Sequence, residues 1–165
     1  MTKRAEPPYI AVVGPSEAAE DICVTAEAVG TLLAEAGAVV VTGGLGGVMA
    51  AASRGAKSAG GSTLGLLPGR DRADANAWVD VVVPTGLGEG RNALVVRIAD
   101  AVIAVGGSWG TLSETALAAR TGTPVVTIRG WQVRDPTGAE PPRGPLEVRT
   151  AAEAVLAALA GARVP

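Results

Sequence analysis

Three times along the chain a short run of β-branched and small apolar residues stops at glycine and gives way to a longer alanine-rich segment. The runs are YIAVVG at 9–14, AVVVTGG at 38–44 and AVIAVGG at 101–107. Runs of this length, apolar at consecutive positions, suit strands covered on both faces. The alanine-rich segments between them carry the helical period. The alternation predicts βαβ units and an α/β fold with a mainly parallel sheet between helices. A helix is expected from a cap at Ser16 to about Ala36, with Ile22, Ala26, Val29 and Leu33 on one stripe and Gly37 as its stop. Further helices are expected near 48–59, 91–99 and 111–120, and further strands near 63–67, 78–83 and 124–128. Residues 130–150 hold several prolines and little periodicity and read as an ordered excursion or lid. A C-terminal helix near 150–161 carries Leu156 and Leu159. With 165 residues and no linker-like stretch, the whole chain, 1–165, reads as one domain with its core at about 8–128.

Composition removes several function classes. Fourteen basic and sixteen acidic residues give a net charge of −2 without long runs, so neither nucleic acid nor a membrane surface is expected as a partner. The start MTKRAEPP is charged with no apolar segment behind it, and no run approaches the roughly 18 apolar residues of a membrane span. A cytoplasmic protein is expected. The single cysteine, Cys23, falls in a helical pattern and reads as a small buried core residue. There is no histidine, so acid–base chemistry falls to Asp, Glu, Lys or Tyr; no metal site and no cofactor is called for. Apolar residues make up 48% of a chain that has no phenylalanine. Helix faces of Ala, Val and Leu exceeding one core predict a homodimer or larger homo-oligomer.

In doubly wound sheets ligands lie beyond the carboxyl ends of the strands. Three glycine-rich loops fall there: Gly14-Pro15-Ser16, Gly43-Gly44-Leu45-Gly46-Gly47 and Gly106-Gly107-Ser108-Trp109-Gly110. Glycines let backbone N–H groups approach an anion at a helix N-terminus, so a small phosphorylated ligand is expected, with Gly14, Ser16, Gly43, Gly44, Gly46, Gly47, Gly106, Gly107, Ser108, Trp109, Gly110 and Thr111 as its contacts. The first loop is not GxGxxG and no GxxxxGK[ST] occurs, which removes the dinucleotide fingerprint and the P-loop.

GGLGGVM at 43–49, AGGSTLGLLPG at 59–69, Arg91 and ADAVIAVGGSWGTLSE at 99–114 together resemble the Lonely Guy family, long labelled lysine decarboxylases. That family carries GGGxxGLM, a downstream glycine-rich strand ending in proline, an arginine-lysine pair and PGGxGTxxE. The resemblance spans roughly 8–128 and implies a Rossmann-like fold. It also implies hydrolysis of the N-glycosidic bond of nucleoside 5′-monophosphates to base and ribose 5-phosphate. The family's catalytic arginine falls on Arg91, its catalytic glutamate on Glu114 and its phosphate loop on 106–111. Where the family has proline and a second glycine this chain has Gly106 and Ser108, and the family's lysine is Asn92. These changes are similar to a branch near the molybdenum cofactor carrier proteins, which bind without catalysing. That resemblance implies a pterin-type or nucleotide ligand as the alternative.

Other residues carry simpler expectations. Thr111-Leu112-Ser113-Glu114 fits a capping box, with Thr111 as cap and Glu114 reaching back, as a second role beside ligand binding. Arg54 and Lys57 read as a solvated helix face and Trp78 and Trp131 as packing, while Trp109 and Glu89 are candidates for the cleft. A pyridoxal phosphate decarboxylase needs a Schiff-base lysine. Only Lys3 and Lys57 exist, and neither is placed for it.

Overall fold

The computed structural model describes residues 6–162; the charged N-terminal stretch with Lys3 lies outside the described residues. Seven strands form one sheet: β1 Tyr9–Val13, β2 Val39–Thr42, β3 Ser62–Leu67, β4 Val81–Pro84, β5 Ala101–Val105, β6 Val125–Ile128 and β7 Leu146–Val148. Five α-helices pack against them: α1 Glu20–Glu35, α2 Gly47–Ser58, α3 Arg91–Ile98, α4 Trp109–Thr121 and α5 Ala151–Gly161. The sheet order is β4-β3-β2-β1-β5-β6-β7, with every neighbouring pair parallel. The chain winds outward from β1 in one direction and then, from β5, in the other. This is the expected α/β architecture, Rossmann-like and doubly wound.

Strand periodicity explains why β1 is apolar throughout. Ile10 and Val12 join a core with α1, α2 and α5, while Ala11 and Val13 join a second core with α3 and α4 on the opposite face. The stripe Ala26, Val29 and Leu33 is buried as expected, and Ile22 packs at its edge. Without large aromatic residues the first core closes by direct backbone approach: a Cβ on Gly30 would lie 2.0 Å from the Ala52 carbonyl oxygen. Cys23 is half-buried at the core's rim rather than inside it, because its Sγ faces the Ala18 carbonyl before the helix.

Three local expectations are corrected. Helix α1 begins at Glu20 with Ala19 as its uncapped N-cap, so Ser16 is an exposed loop residue. The backbone N–H of Val48 donates to Pro15, tying the 14–19 loop to α2 and delaying the helix. Trp78 lies in a turn, not a strand; its carbonyl accepts the Thr63 hydroxyl, and pairing with β3 starts only at Val81. The excursion after β6 adds β7 to the sheet edge. Helix α5 then starts with Thr150 and Glu153 in a true capping box. Among the described residues no helix is long and apolar enough to cross a membrane.

Candidate functional site

The winding reverses between β1 and β5, and parting connections there leave a crevice beyond the strand ends. It holds a cavity of about 320 Å³. Val13, Gly14 and Ser16 enter it from the end of β1, and Gly43, Leu45 and Met49 from the β2–α2 connection. Glu89 enters from the turn before α3, Arg91 and Asn92 from its start, and Ser108, Gly110, Thr111 and Glu114 from the start of α4. Gly14 is held there by close approach: a Cβ would sit 2.5 Å from the Val105 carbonyl oxygen and 2.7 Å from Val48.

The floor of the cavity is an arginine. Arg91 is the first residue of α3 and only 8% exposed. One guanidinium nitrogen, Nη1, donates to Asn92 Oδ1 at 2.9 Å and lies 3.8 Å from Glu114 Oε1. The second distance is an ion contact without a hydrogen bond. The Nε of Arg91 is buried with no partner at all. Gly43 makes room for this group, since a Cβ there would fall 2.5 Å from both Nη1 and Nη2 and 2.6 Å from Met49 Sδ.

Electrostatics follow from burial. Glu114, 6% exposed, has its carboxyl pushed up to about 7 by desolvation, against the pull of Arg91. Arg91 is shifted down by the same desolvation, opposed by Glu114. Each group disfavours its own buried charge more than its neighbour restores. An unpartnered N–H and a carboxyl titrating near neutrality therefore share one cleft.

The capping expectation is replaced. Helix α4 starts at Trp109 with Ser108 as its N-cap, whose Oγ accepts the Thr111 N–H at 3.2 Å and lies 2.9 Å from the Thr111 hydroxyl. Thr111 is then the third helical residue and Glu114 the sixth, a turn too far to reach the cap. Freed from the helix end, the Glu114 side chain is available to face Arg91.

The structure does not bring every candidate to the cavity wall. Gly44, Gly46, Gly47, Gly106, Gly107 and Trp109 do not line it. Gly44 shapes the loop from behind, with φ of +75° and its carbonyl clamped, together with that of Leu45, by the Asn76 amide. Gly107 lies under the Trp131 ring. Trp109, 78% exposed, packs edge-on against Trp131 with ring centroids 4.8 Å apart, outside the cavity. Sequence reasoning missed Met49, Pro68 and Asn76. Met49 lies within the quoted GGLGGVM motif, but nothing local marks Asn76 as the clamp on a loop 31 residues earlier. Arg54 and Lys57 are ion-paired rather than merely solvated, to Glu27 at 2.6 Å and Asp80 at 2.7 Å. Among the described residues no group of His, Cys, Asp and Glu is placed to hold a metal ion.

Comparison with known proteins places this chain in a family. The model of the SLOG cluster4 family matches residues 7–156. An uncharacterized protein of Archaeoglobus fulgidus is 42% identical over 120 residues, 73% of this chain and 79% of its own. The molybdenum cofactor binding protein from Rippkaea orientalis is similar in structure, with a TM-score of 0.74 and 41% identity, covering 76% of this chain and 78% of its own. The molybdenum cofactor carrier protein from Chlamydomonas reinhardtii is similar over 94% of this chain and 98% of its own, with a TM-score of 0.79 and 32% identity. With its motifs, its fold and a family match running across nearly all of its length, the chain belongs to the SLOG cluster4 family.

Proposed function

We propose that the cleft binds a phosphorylated pterin of the molybdenum cofactor type and hands it on unchanged. The observation that carries this reading is Asn92. The Lonely Guy arginine-lysine pair would put two cations here. Asn92 instead accepts a hydrogen bond from Arg91 and leaves one guanidinium on the wall to meet an anionic group. The start of α4, with Ser108, Gly110 and Thr111 on the wall, supports a phosphate nearby. The relatives named for binding or carrying the molybdenum cofactor support the pterin.

A second reading is hydrolysis of a nucleoside 5′-monophosphate, favoured by the Arg91–Glu114 pair. Arg91 would hold the sugar phosphate. Glu114, with its carboxyl near neutrality, would stabilise the oxocarbenium-like state and orient water. One experiment separates the two. The purified protein is incubated with a panel of nucleoside monophosphates and assayed for ribose 5-phosphate, with calorimetric titration of molybdenum cofactor in parallel. Tight cofactor binding without release supports the carrier, whereas release well above blank refutes it in favour of the hydrolase.

We also propose a cytoplasmic homo-oligomer. Val81 and Val83, in register with Leu64 and Leu66, lie on the α3–α4 face of the sheet, yet they are exposed, as are Leu94 and Ile98 of α3. Among the described residues this apolar surface is uncovered. Light scattering that shows only a monomer of about 16 kDa at micromolar concentration would refute it.

A further inference from the structure

The charged groups on the cavity wall do not balance for an anionic ligand. Among the described residues, Arg91 is the only cation lining it, against two carboxylates, Glu114 and Glu89. A phosphate-type dianion entering beside Arg91 also comes close to the Glu114 carboxylate, which lies 3.8 Å from the same guanidinium. We propose that anion binding in this cleft takes up one proton, placed on Glu114, so that the ligand meets a neutral carboxyl which donates its O–H to an acceptor atom of the ligand. The inference rests on the reading of the cleft as an anion site and adds its proton stoichiometry.

Three observations support it. No donor among the described residues hydrogen-bonds the Glu114 carboxylate, so protonation breaks no hydrogen bond and gives up only the 3.8 Å ion contact with Arg91, which the incoming anion replaces. Among the described residues the Arg91 guanidinium donates a hydrogen bond only to Asn92, so an incoming anion gains a donor without displacing it. Burial holds the Glu114 carboxyl up to about 7 even without ligand, and an added negative charge raises it further. Among the described residues the cavity around Glu114 holds one other carboxylate, that of Glu89. The starts of α3 and its preceding turn contribute Arg91 and Glu89. The ends of β1 and β2 and helix α2 contribute Val13, Gly14, Gly43, Leu45 and Met49, and the start of α4 contributes only hydroxyls and backbone. Glu89 is exposed. The proton thus supplies the positive charge that the lysine of the Lonely Guy arginine-lysine pair would bring where this chain has Asn92.

Sulfate tests this, because it stays a dianion across the whole pH range and brings no titration of its own. Calorimetric titrations of the full chain at pH 8, in buffers of different ionisation enthalpy, are expected to show uptake of about one proton per sulfate. Affinity is expected to fall about tenfold per pH unit above neutrality. Because only about a tenth of Glu114 is protonated at pH 8, Glu114→Gln is expected to bind sulfate about tenfold tighter than wild type there, with no proton uptake. Glu89→Gln is expected to retain the uptake. Sulfate binding by wild type without buffer-dependent heat overturns the proposal while leaving the anion site standing, and this result needs no variant to fold. Uptake that persists in Glu114→Gln does the same. If sulfate fails to bind wild type anywhere between about pH 5.5 and 8.5, the anion-site reading falls together with the proposal.

Discussion

Replacing Gly43 with alanine isolates the role of Arg91 without touching either charge. The new Cβ would lie 2.5 Å from Nη1 and Nη2 and 2.6 Å from Met49 Sδ, where about 3.4 Å is the normal contact. The guanidinium must therefore retreat by about 1 Å. All three clashing atoms are ends of flexible side chains, and Gly43 does not have positive φ, so the backbone accepts alanine. Loss of unfolded-state entropy stabilises such a change by about 0.4–1 kcal/mol. That is close to the cost of a shifted rotamer, about 0.5–1.5 kcal/mol. Net stability is expected to move by less than about 1 kcal/mol. Binding is different, because a charge-assisted hydrogen bond contributes about 1.5–3 kcal/mol and needs its donor in place. At about 1.4 kcal/mol per decade, sulfate affinity at pH 6 should fall about 10- to 150-fold. Calorimetry reports the affinity and thermal unfolding by circular dichroism the stability. A Gly43→Ala protein that binds sulfate like wild type refutes the assignment of Arg91 as the anion ligand. A large drop in Tm would show that Gly43 serves the fold instead.

Helix packing gives the opposite outcome. Gly30→Ala drives a Cβ to 2.0 Å from the Ala52 carbonyl oxygen, and Gly55→Ala to 2.0 Å from that of Glu27. Each should cost about 1–3 kcal/mol or more in denaturant unfolding despite better helix propensity; a neutral result would refute the tight α1–α2 contact. For Glu114 the folded carboxyl is raised from 4.5 to about 7, so its contribution to stability is fully present below about pH 4.5 and lost as pH rises through about 7. At about 1.36 kcal/mol per unit the loss is up to about 3 kcal/mol. Glu114→Gln should therefore gain stability relative to wild type between pH 5 and pH 8, and urea unfolding at both values with no relative gain would refute the buried titration. Thr150→Ala removes the capping box of α5 and should cost about 1 kcal/mol. Unchanged urea unfolding would show that α5 is held by packing alone.

Much of this protein could be read from local order in the sequence. Strand runs such as AVIAV, buried on both faces, and the stripe Ala26, Val29 and Leu33 need only periodicity, because a period of 2 or 3.6 acts within a few residues. The glycines after β1, β2 and β5 marked where the chain turns at the carboxyl ends of the strands, where the cavity lies. The resemblance placed Arg91 and Glu114 in one site, and the fold brings them to 3.8 Å from positions 23 residues apart. Other features depended on contacts that no local pattern records. Thr111-Leu112-Ser113-Glu114 and Thr150-Ala151-Ala152-Glu153 are equally good capping boxes as text. Only the second caps a helix, because Ser108 starts α4 three residues earlier and turns Glu114 toward Arg91. The delay of α1 past Ser16, the clamp of Asn76 on Gly44 and Leu45, and the seventh strand at 146–148 likewise rest on partners distant in sequence. Which carboxylate is desolvated follows from the same cause. Glu89 and Glu114 are the same residue type on one cavity, and tertiary packing alone leaves the first exposed and buries the second beside an arginine.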